Sequence, residues 1–283
     1  MARILDGRET AREIMEELKT RCAELKRKGI TSGLAVVLVG NDPASTIYVG
    51  QKEKICAEVG FCSFRHDLPA SSTEKDLLDL IARLNVDPEI HGILVQLPLP
   101  NGFSVDRVIG RIAPEKDVDG FHPVNVGRLA CGLPGIVPCT PKGVMRILRK
   151  YGIPLEGKKA VVVGRSNIVG KPMVQLLLGE NMTVTVCHSR KPDLGEETRR
   201  ADLIVAAAGK PGIIDGSMVK EGAVVVDVGI HRVPEGIVGD VKFDEVSAIA
   251  SWITPVPGGV GPLTIAMLME NTLELAERAG RKR

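Results

Sequence analysis

The chain has 283 residues, with 37 basic against 35 acidic side chains and a formal net charge of +2. The charges form no basic block or aromatic-interleaved stripe, and no apolar run reaches spanning length, so neither nucleic acid nor membrane is indicated as a partner. Six cysteines without Cys-x-x-Cys spacing read as reduced packing residues, leaving a cytoplasmic enzyme of two ordinary-sized domains as the expectation.

Ala11, Ile14, Met15, Leu18, Cys22 and Leu25 follow helical spacing, and Gly29 is placed to stop that helix. A strand is predicted over 34–39. Asp42-Pro43 then offers a cap and a first-turn proline to a second helix, which carries Tyr48, Lys52, Ile55 and Val59. A strand over 61–67 comes next, then a helix over 73–85 with a capping box in Ser71-Ser72-Thr73-Glu74. The largely apolar run 91–97 suits a buried parallel strand. The first third of the chain therefore alternates β and α.

Between 97 and 141 the texture turns Pro- and Gly-rich, with only a short helical stretch at 105–109, which reads as a linker and cleft. Strands follow at 158–164, 183–187, 203–207 and 223–228, with helices between the first three, a second α/β unit. The amphipathic helix over 262–279 comes after those strands are used up and is expected to pack back on the first domain.

Tyr48 and Lys52 are four residues apart on a helix, so both side chains share one face. A lysine beside a phenol and low-dielectric walls suits proton chemistry near working pH. In short-chain dehydrogenases a Tyr-x-x-x-Lys pair follows the dinucleotide-binding glycines. Here the glycines begin only at Gly164, so the pair belongs to a different active site. Gln96, at the C-terminal end of its strand, is placed to hold the Lys52 ammonium or a ligand, or else is a plain hydrogen-bonded strand-end amide. Asp117 and Asp119 lie in Glu115-Lys-Asp-Val-Asp-Gly-Phe121, ordinarily a turn. The stretch 254–264 is rich in small residues that permit close approach by a flat ligand, or serve as a hinge.

The strand ending at Gly164 leads into Arg165, Ser166, Gly170 and Pro172 and a helix, a dinucleotide turn that departs from G-x-G-x-x-G at Ser166 and is one residue wider. A site for NAD is expected to place a carboxylate at the end of the next strand. That strand ends instead in Cys187-His188-Ser189-Arg190-Lys191, a hydroxyl and two cations suited to a 2′-phosphate, with Arg165 as a third cation. NADP is preferred, the alternative being that Arg190 and Lys191 are solvated loop charges. The histidines at 66, 91, 122, 188 and 231 lack metal-ligand spacing and read as surface or satisfied core residues, so no metal is expected. Trp252, Met267 and Met269 read as core or interface fillers.

Four stretches, 48–52, 95–100 with 116–121, 164–172 and 255–264, together resemble the bifunctional methylenetetrahydrofolate dehydrogenase/methenyltetrahydrofolate cyclohydrolase family in order and spacing. The resemblance implies an α/β fold of two domains with an active-site cleft between them: a folate-binding catalytic domain over 1–139 and 263–283 and a Rossmann-type NADP domain over 140–262. It implies NADP-dependent oxidation of 5,10-methylenetetrahydrofolate and hydrolysis of the methenyl product to 10-formyltetrahydrofolate, in an enzyme that is usually a homodimer. Lys52, Gln96 and Asp119 are then catalytic. Tyr48, Val95, Leu97, Pro257, Gly258, Gly259, Val260 and Gly261 join them against the folate, and Gly164, Arg165, Ser166, Ser189, Arg190 and Ile230 surround NADP. Two rivals remain: an amino-acid or shikimate-type NADP dehydrogenase, and a nucleotide-sensing protein with an idle fold.

Overall fold

The computed structural model describes every residue except Asn41, Lys191, Pro192, Glu235, Lys282 and Arg283, and within one helix gives the backbone alone for 43–48 and Gln51. In chain order the first elements are β1 (Arg3–Ile4), α1 (Gly7–Arg27), β2 (Gly33–Val39), α2 (Pro43–Val59), β3 (Cys62–Leu68), α3 (Glu74–Val86) and β4 (Gly92–Val95). Then come α4 (Val105–Arg111), α5 (Pro123–Ala130), α6 (Cys139–Lys150), β5 (Lys159–Val163), α7 (Gly170–Gly179), β6 (Thr183–Cys187), α8 (Leu194–Thr198) and β7 (Leu203–Ala206). The last are β8 (Val224–Asp227), β9 (His231–Val233), β10 (Gly236–Val238), α9 (Phe243–Ser247), β11 (Trp252–Ile253) and α10 (Val260–Gly280).

The chain divides into two compact units, one of 1–12, 129–133 and 138–267, the other of 13–128, 134–137 and 268–283. Helices α1 and α10 each begin in the first unit and end in the second, the change in α10 falling between Met267 and Leu268.

The second unit is built on a parallel sheet in the order β3-β2-β4. Strand β2 is central and all seven of its residues are buried, which is why it reads Gly-Leu-Ala-Val-Val-Leu-Val without alternation. Each such Val or Leu contributes about 1.5–3 kcal/mol on burial. Edge strand β3 sets Arg65 between Asp67, at 2.9 Å, and Glu53, at 3.4 Å, and charges along an edge discourage further strand pairing. Helix α3 turns Leu77, Leu80, Ile81 and Leu84 toward Ala35, Val37, Ile93 and Val95. Its first turn is capped by Thr73, whose hydroxyl accepts from the Asp76 amide while the Asp76 carboxylate accepts from the Thr73 amide at 2.8 Å.

The first unit holds a parallel six-stranded sheet in the order β1-β11-β8-β7-β5-β6, with β7 and β8 fully buried, and a separate antiparallel β9-β10 ribbon. Strand order reverses beside β5: β6 lies on one side, β7 and β8 on the other. Such a switch point, at the C-terminal ends of the strands, is where parallel sheets take ligands.

Besides α4, which the sequence predicts, α5 lies within the turn-rich region and α6 begins at its end. Helix α5 is short and contains Gly127, and it is held from outside: Asn125 donates to Pro114 O and to Asp117 Oδ2, both at 2.9 Å. Helix α6 buries Val144, Met145, Ile147 and Leu148 along one face.

Candidate active site

Val49, Lys52, Cys56 and Val59 fall on one face of α2, and the three apolar members are buried. Lys52 therefore leaves the helix along its packed side, and its Nζ donates to Gln96 Oε1 at 2.8 Å. Gln96 is fixed at both ends. Its backbone amide continues the β4 to β2 pairing by donating to Val37 O at 2.9 Å, and its Nε2 donates to Leu97 O at 2.7 Å. With the amide nitrogen engaged, only the oxygen faces the ammonium. Leu97 is half-buried, while the Val95 side chain packs into the apolar cluster under α3. The Tyr48 side chain lies outside the described residues.

Asp117 and Asp119 divide the work of their loop. Asp117 is buried and accepts from the amides of Gly120, Phe121 and His122 at 3.0, 3.3 and 2.9 Å and from Asn125 Nδ2. The loop is also tied to β4, where Ile93 N donates to Lys116 O at 2.8 Å, and to α10, whose buried Asn271 donates to Val118 O and Val137 O. Asp119, on the same loop, feels the charge of the Lys52 ammonium. Burial pushes the Asp119 carboxyl up to about 7, against the pull of the Lys52 ammonium and with a push from Asp117. This unit thus holds a cation bonded to an oriented amide, and a carboxyl that burial raises to about 7 against the pull of the same cation.

In the other unit, β5 is followed by Gly164 with φ 125°, where a Cβ would run into Ala207 O. At Gly170 a Cβ would strike the Gly164 carbonyl and come within 2.8 Å of Arg165 Cα, so the approach of α7 to β5 requires glycine at both positions. Ser166 explains the departure from the glycine-rich pattern. Its Oγ accepts from the amides of Val169 and Gly170, each at 3.2 Å, which leaves its hydroxyl hydrogen to be donated outward. Arg165, Ser166, Ser189 and Arg190 are exposed beyond the ends of β5 and β6, and no carboxylate stands among residues 187–190. These cradles, hydroxyls and cations fit a dinucleotide carrying a 2′-phosphate. Lys191 lies outside the described residues.

The 255–261 stretch belongs to the same unit. Gly258 has φ 109°, and a Cβ on Gly259 would come within 2.8 Å of Thr254 Cβ. Val260 is buried, Gly258 O accepts from Arg8 N at 3.1 Å, Gly261 is half-buried and Pro257 is exposed. Exposed Ile230 places its Cδ1 3.4 Å from where a Cβ on Gly261 would stand, so a predicted cofactor residue and a predicted folate residue adjoin.

Sequence reasoning passed over two buried carboxylates near this point. Asp227, at the end of β8, accepts from the amides of Gly229, Asp240 and Val241, and burial pushes its carboxyl up to about 6 against those bonds. Asp240 accepts from the Ala208, Gly209 and Lys210 amides at 2.6, 2.9 and 3.0 Å and from His231 Nε2 at 2.7 Å. The signal was present in Gly229 and in Gly239-Asp240, since a Cβ on either glycine would collide with one of these carboxylates.

Known proteins resemble this chain along nearly its whole length. Residues 5–119 match the tetrahydrofolate dehydrogenase/cyclohydrolase catalytic domain, and 138–280 match the NAD(P)-binding domain of the same family. Bifunctional protein FolD of Moorella thermoacetica is 58% identical over 278 residues, covering 98% of this chain and 99% of that protein. The crystal structure of the FolD methylenetetrahydrofolate dehydrogenase/cyclohydrolase of Campylobacter jejuni matches with a TM-score of 0.97 at 54% identity, covering 98% and 99% of the two chains. That of the Trypanosoma brucei enzyme, complexed with NADP and an inhibitor, matches at 0.94 and 43%, covering 99% of each. A shikimate dehydrogenase from Peptoclostridium difficile shares the fold at a TM-score of 0.53 and 14% identity, which gives the shikimate-type alternative no support beyond architecture. The chain belongs to the tetrahydrofolate dehydrogenase/cyclohydrolase family and is a bifunctional NADP-dependent enzyme of that type.

Proposed function

We propose that Lys52, Gln96 and Asp119 carry the chemistry on the folate, and the observation that supports this most is the Lys52 to Gln96 bond at 2.8 Å together with a carboxyl lifted to about 7. In the first reaction, hydride leaves the methylene carbon of 5,10-methylenetetrahydrofolate, flanked by two nitrogens. NADP supplies the hydride acceptor. Residues 257–261 line the folate, and the Ile230 to Gly261 contact brings that lining up to the cofactor's side of the same unit. Gly164, Arg165, Ser166, Ser189 and Arg190 hold the phosphates, and a hydroxyl and a cation in place of a carboxylate over residues 187–190 select NADP over NAD.

In the second reaction, water adds to the methenyl carbon and the bond from that carbon to N5 breaks. Of the two water protons, one goes to N5 and one is released. Lys52 accepts the proton from the attacking water and returns it as the ring opens, with Gln96 fixing the direction of its Nζ. Asp119 holds the pterin nitrogens and Tyr48 contacts the ring. Among the described residues no helix is long and apolar enough to cross a membrane, and the proposed setting is the cytoplasm, as a homodimer.

Lys52→Met tests the assignment. It is expected to abolish hydrolysis of methenyltetrahydrofolate with the circular dichroism spectrum and melting profile retained; wild-type hydrolysis by this variant would refute the role.

A further inference from the structure

Asp240 sits where three segments of the cofactor-binding unit meet. Its carboxylate takes three consecutive amides, 208 to 210, from the loop that follows β7, and the His231 ring from β9. Gly229 packs so closely that a Cβ there would strike Asp240 Oδ1, which fixes the loop after β8 as well. Asp240 is wholly buried, and its backbone amide donates to Asp227 Oδ1 at 3.0 Å. Four donors converge on one carboxylate at charge-assisted distances, a stiff arrangement for a stretch with no secondary structure of its own.

The position of this clamp relative to the dinucleotide turn gives it a role. The 2′-phosphate groups, Ser189 and Arg190, follow β6, and the glycine turn follows β5. A dinucleotide laid across the strand ends from β6 over β5 must place its other half over β7 and β8, the side on which strand order continues. The loops there are 207–212 and 228–231. The first backs directly on the glycine turn, since Ala207 O closes off the Cβ position of Gly164, and the second carries Ile230 against Gly261. Both are held by Asp240.

We propose that Asp240, with His231 as its partner, is a positioning residue for the nicotinamide half of the cofactor, setting the 208–210 backbone and Ile230 without touching the adenosine half. This rests on the NADP reading above. In the full chain, Asp240→Asn replaces one acceptor oxygen by a donor facing amides, while His231→Ala removes one donor from a half-buried place and is expected to retain the fold, as its circular dichroism spectrum will show. His231→Gln keeps a side-chain N–H.

The experiment compares affinity for NADP with affinity for adenosine 2′,5′-bisphosphate, which carries the adenosine half alone, and measures cofactor-free methenyltetrahydrofolate hydrolysis. Asp240→Asn and His231→Ala are expected to weaken NADP about tenfold, the size of one charge-assisted hydrogen bond, while leaving the bisphosphate and the hydrolysis within about twofold. His231→Gln is expected to recover most of the loss. Equal weakening of NADP and the bisphosphate, or no weakening of NADP in either variant, would overturn the proposal. A wild-type chain that binds neither ligand would overturn the cofactor reading itself, and the clamp with it.

Discussion

Lys52 Nζ and Gln96 Oε1 lie 2.8 Å apart, and the same glutamine commits its nitrogen to Leu97 O at 2.7 Å, so the lysine is aimed by a side chain that cannot turn over. Gln96→Glu disturbs both contacts: a carboxylate holds the ammonium's proton more tightly and sets a second oxygen against the Leu97 carbonyl. Methenyltetrahydrofolate hydrolysis, followed by loss of absorbance, is expected to fall by about a hundredfold or more, the low end of what a positioned proton carrier contributes. Gln96→Ala is expected to be less damaging than Gln96→Glu, because it removes the aim without trapping the proton.

The titration of Asp119 sets a pH dependence on folate affinity. Pterin N–H groups bind the ionised carboxylate, and burial has lifted this carboxyl to about 7. Affinity is therefore expected to rise as pH climbs through 7 and to weaken below it, with proton release on binding at pH 6.5. Titration calorimetry in two buffers of different ionisation enthalpy measures that proton directly. Asp119→Asn is expected to bind weakly at all pH values with no linked proton.

The same shift bears on stability, with the opposite preference. A carboxyl whose folded value is raised above its ordinary 3.8 favours the folded state most when protonated, so its contribution is lost as pH rises from about 4 towards 7. Asp119→Asn, which stays neutral, is expected to melt higher than the wild type at pH 8 and to lose that advantage at pH 4. Melting curves at the two pH values decide the point.

Asp117 is expected to behave as structure. Asp117→Ala strands three backbone amides and the Asn125 amide in a buried place, at a cost of about 3 kcal/mol or more. Both activities are expected to fall together with the urea midpoint. A variant that loses activity at unchanged stability would instead assign Asp117 to the chemistry.

Cofactor choice is expected to turn on the end of β6. Arg190→Ala is expected to raise KM for NADP about tenfold and leave that for NAD within twofold, as steady-state dehydrogenase rates with each nucleotide will show.

Much of this was legible from local pattern. The apolar runs of β2, β5, β7 and β8 and the helical stripe of α1 have periods that the chain itself displays, and the site residues sit where parallel strands end. The missing pieces depend on distant partners. Strands β1 and β11 have two residues each and exist because Arg3 and Ile4 pair with Trp252 and Ile253, nearly the whole chain apart. Helix α5 depends on Asn125 reaching Asp117, and the Asp240 clamp on a loop some thirty residues upstream. Asp117 and Asp119 look alike in sequence, and what marks Asp117 as the anchor is the set of amides it accepts from, which only the folded loop brings together.

Because α10 gives its first residues to one unit and its last to the other, the unit that holds β2, β3 and β4 is not complete until residues beyond 268 have left the ribosome. Leu268, Met269 and Leu273 are buried in the unit that holds β2, β3 and β4, and Asn271 secures the loop that presents Asp119. A nascent chain thus carries β2, β3 and β4 unfinished through most of its synthesis, exposing apolar surface that the final helix covers. A stop codon a few residues before 268 would therefore be far more damaging than its distance from Lys52 suggests, leaving a chain with every strand present and the core around β2, β3 and β4 open.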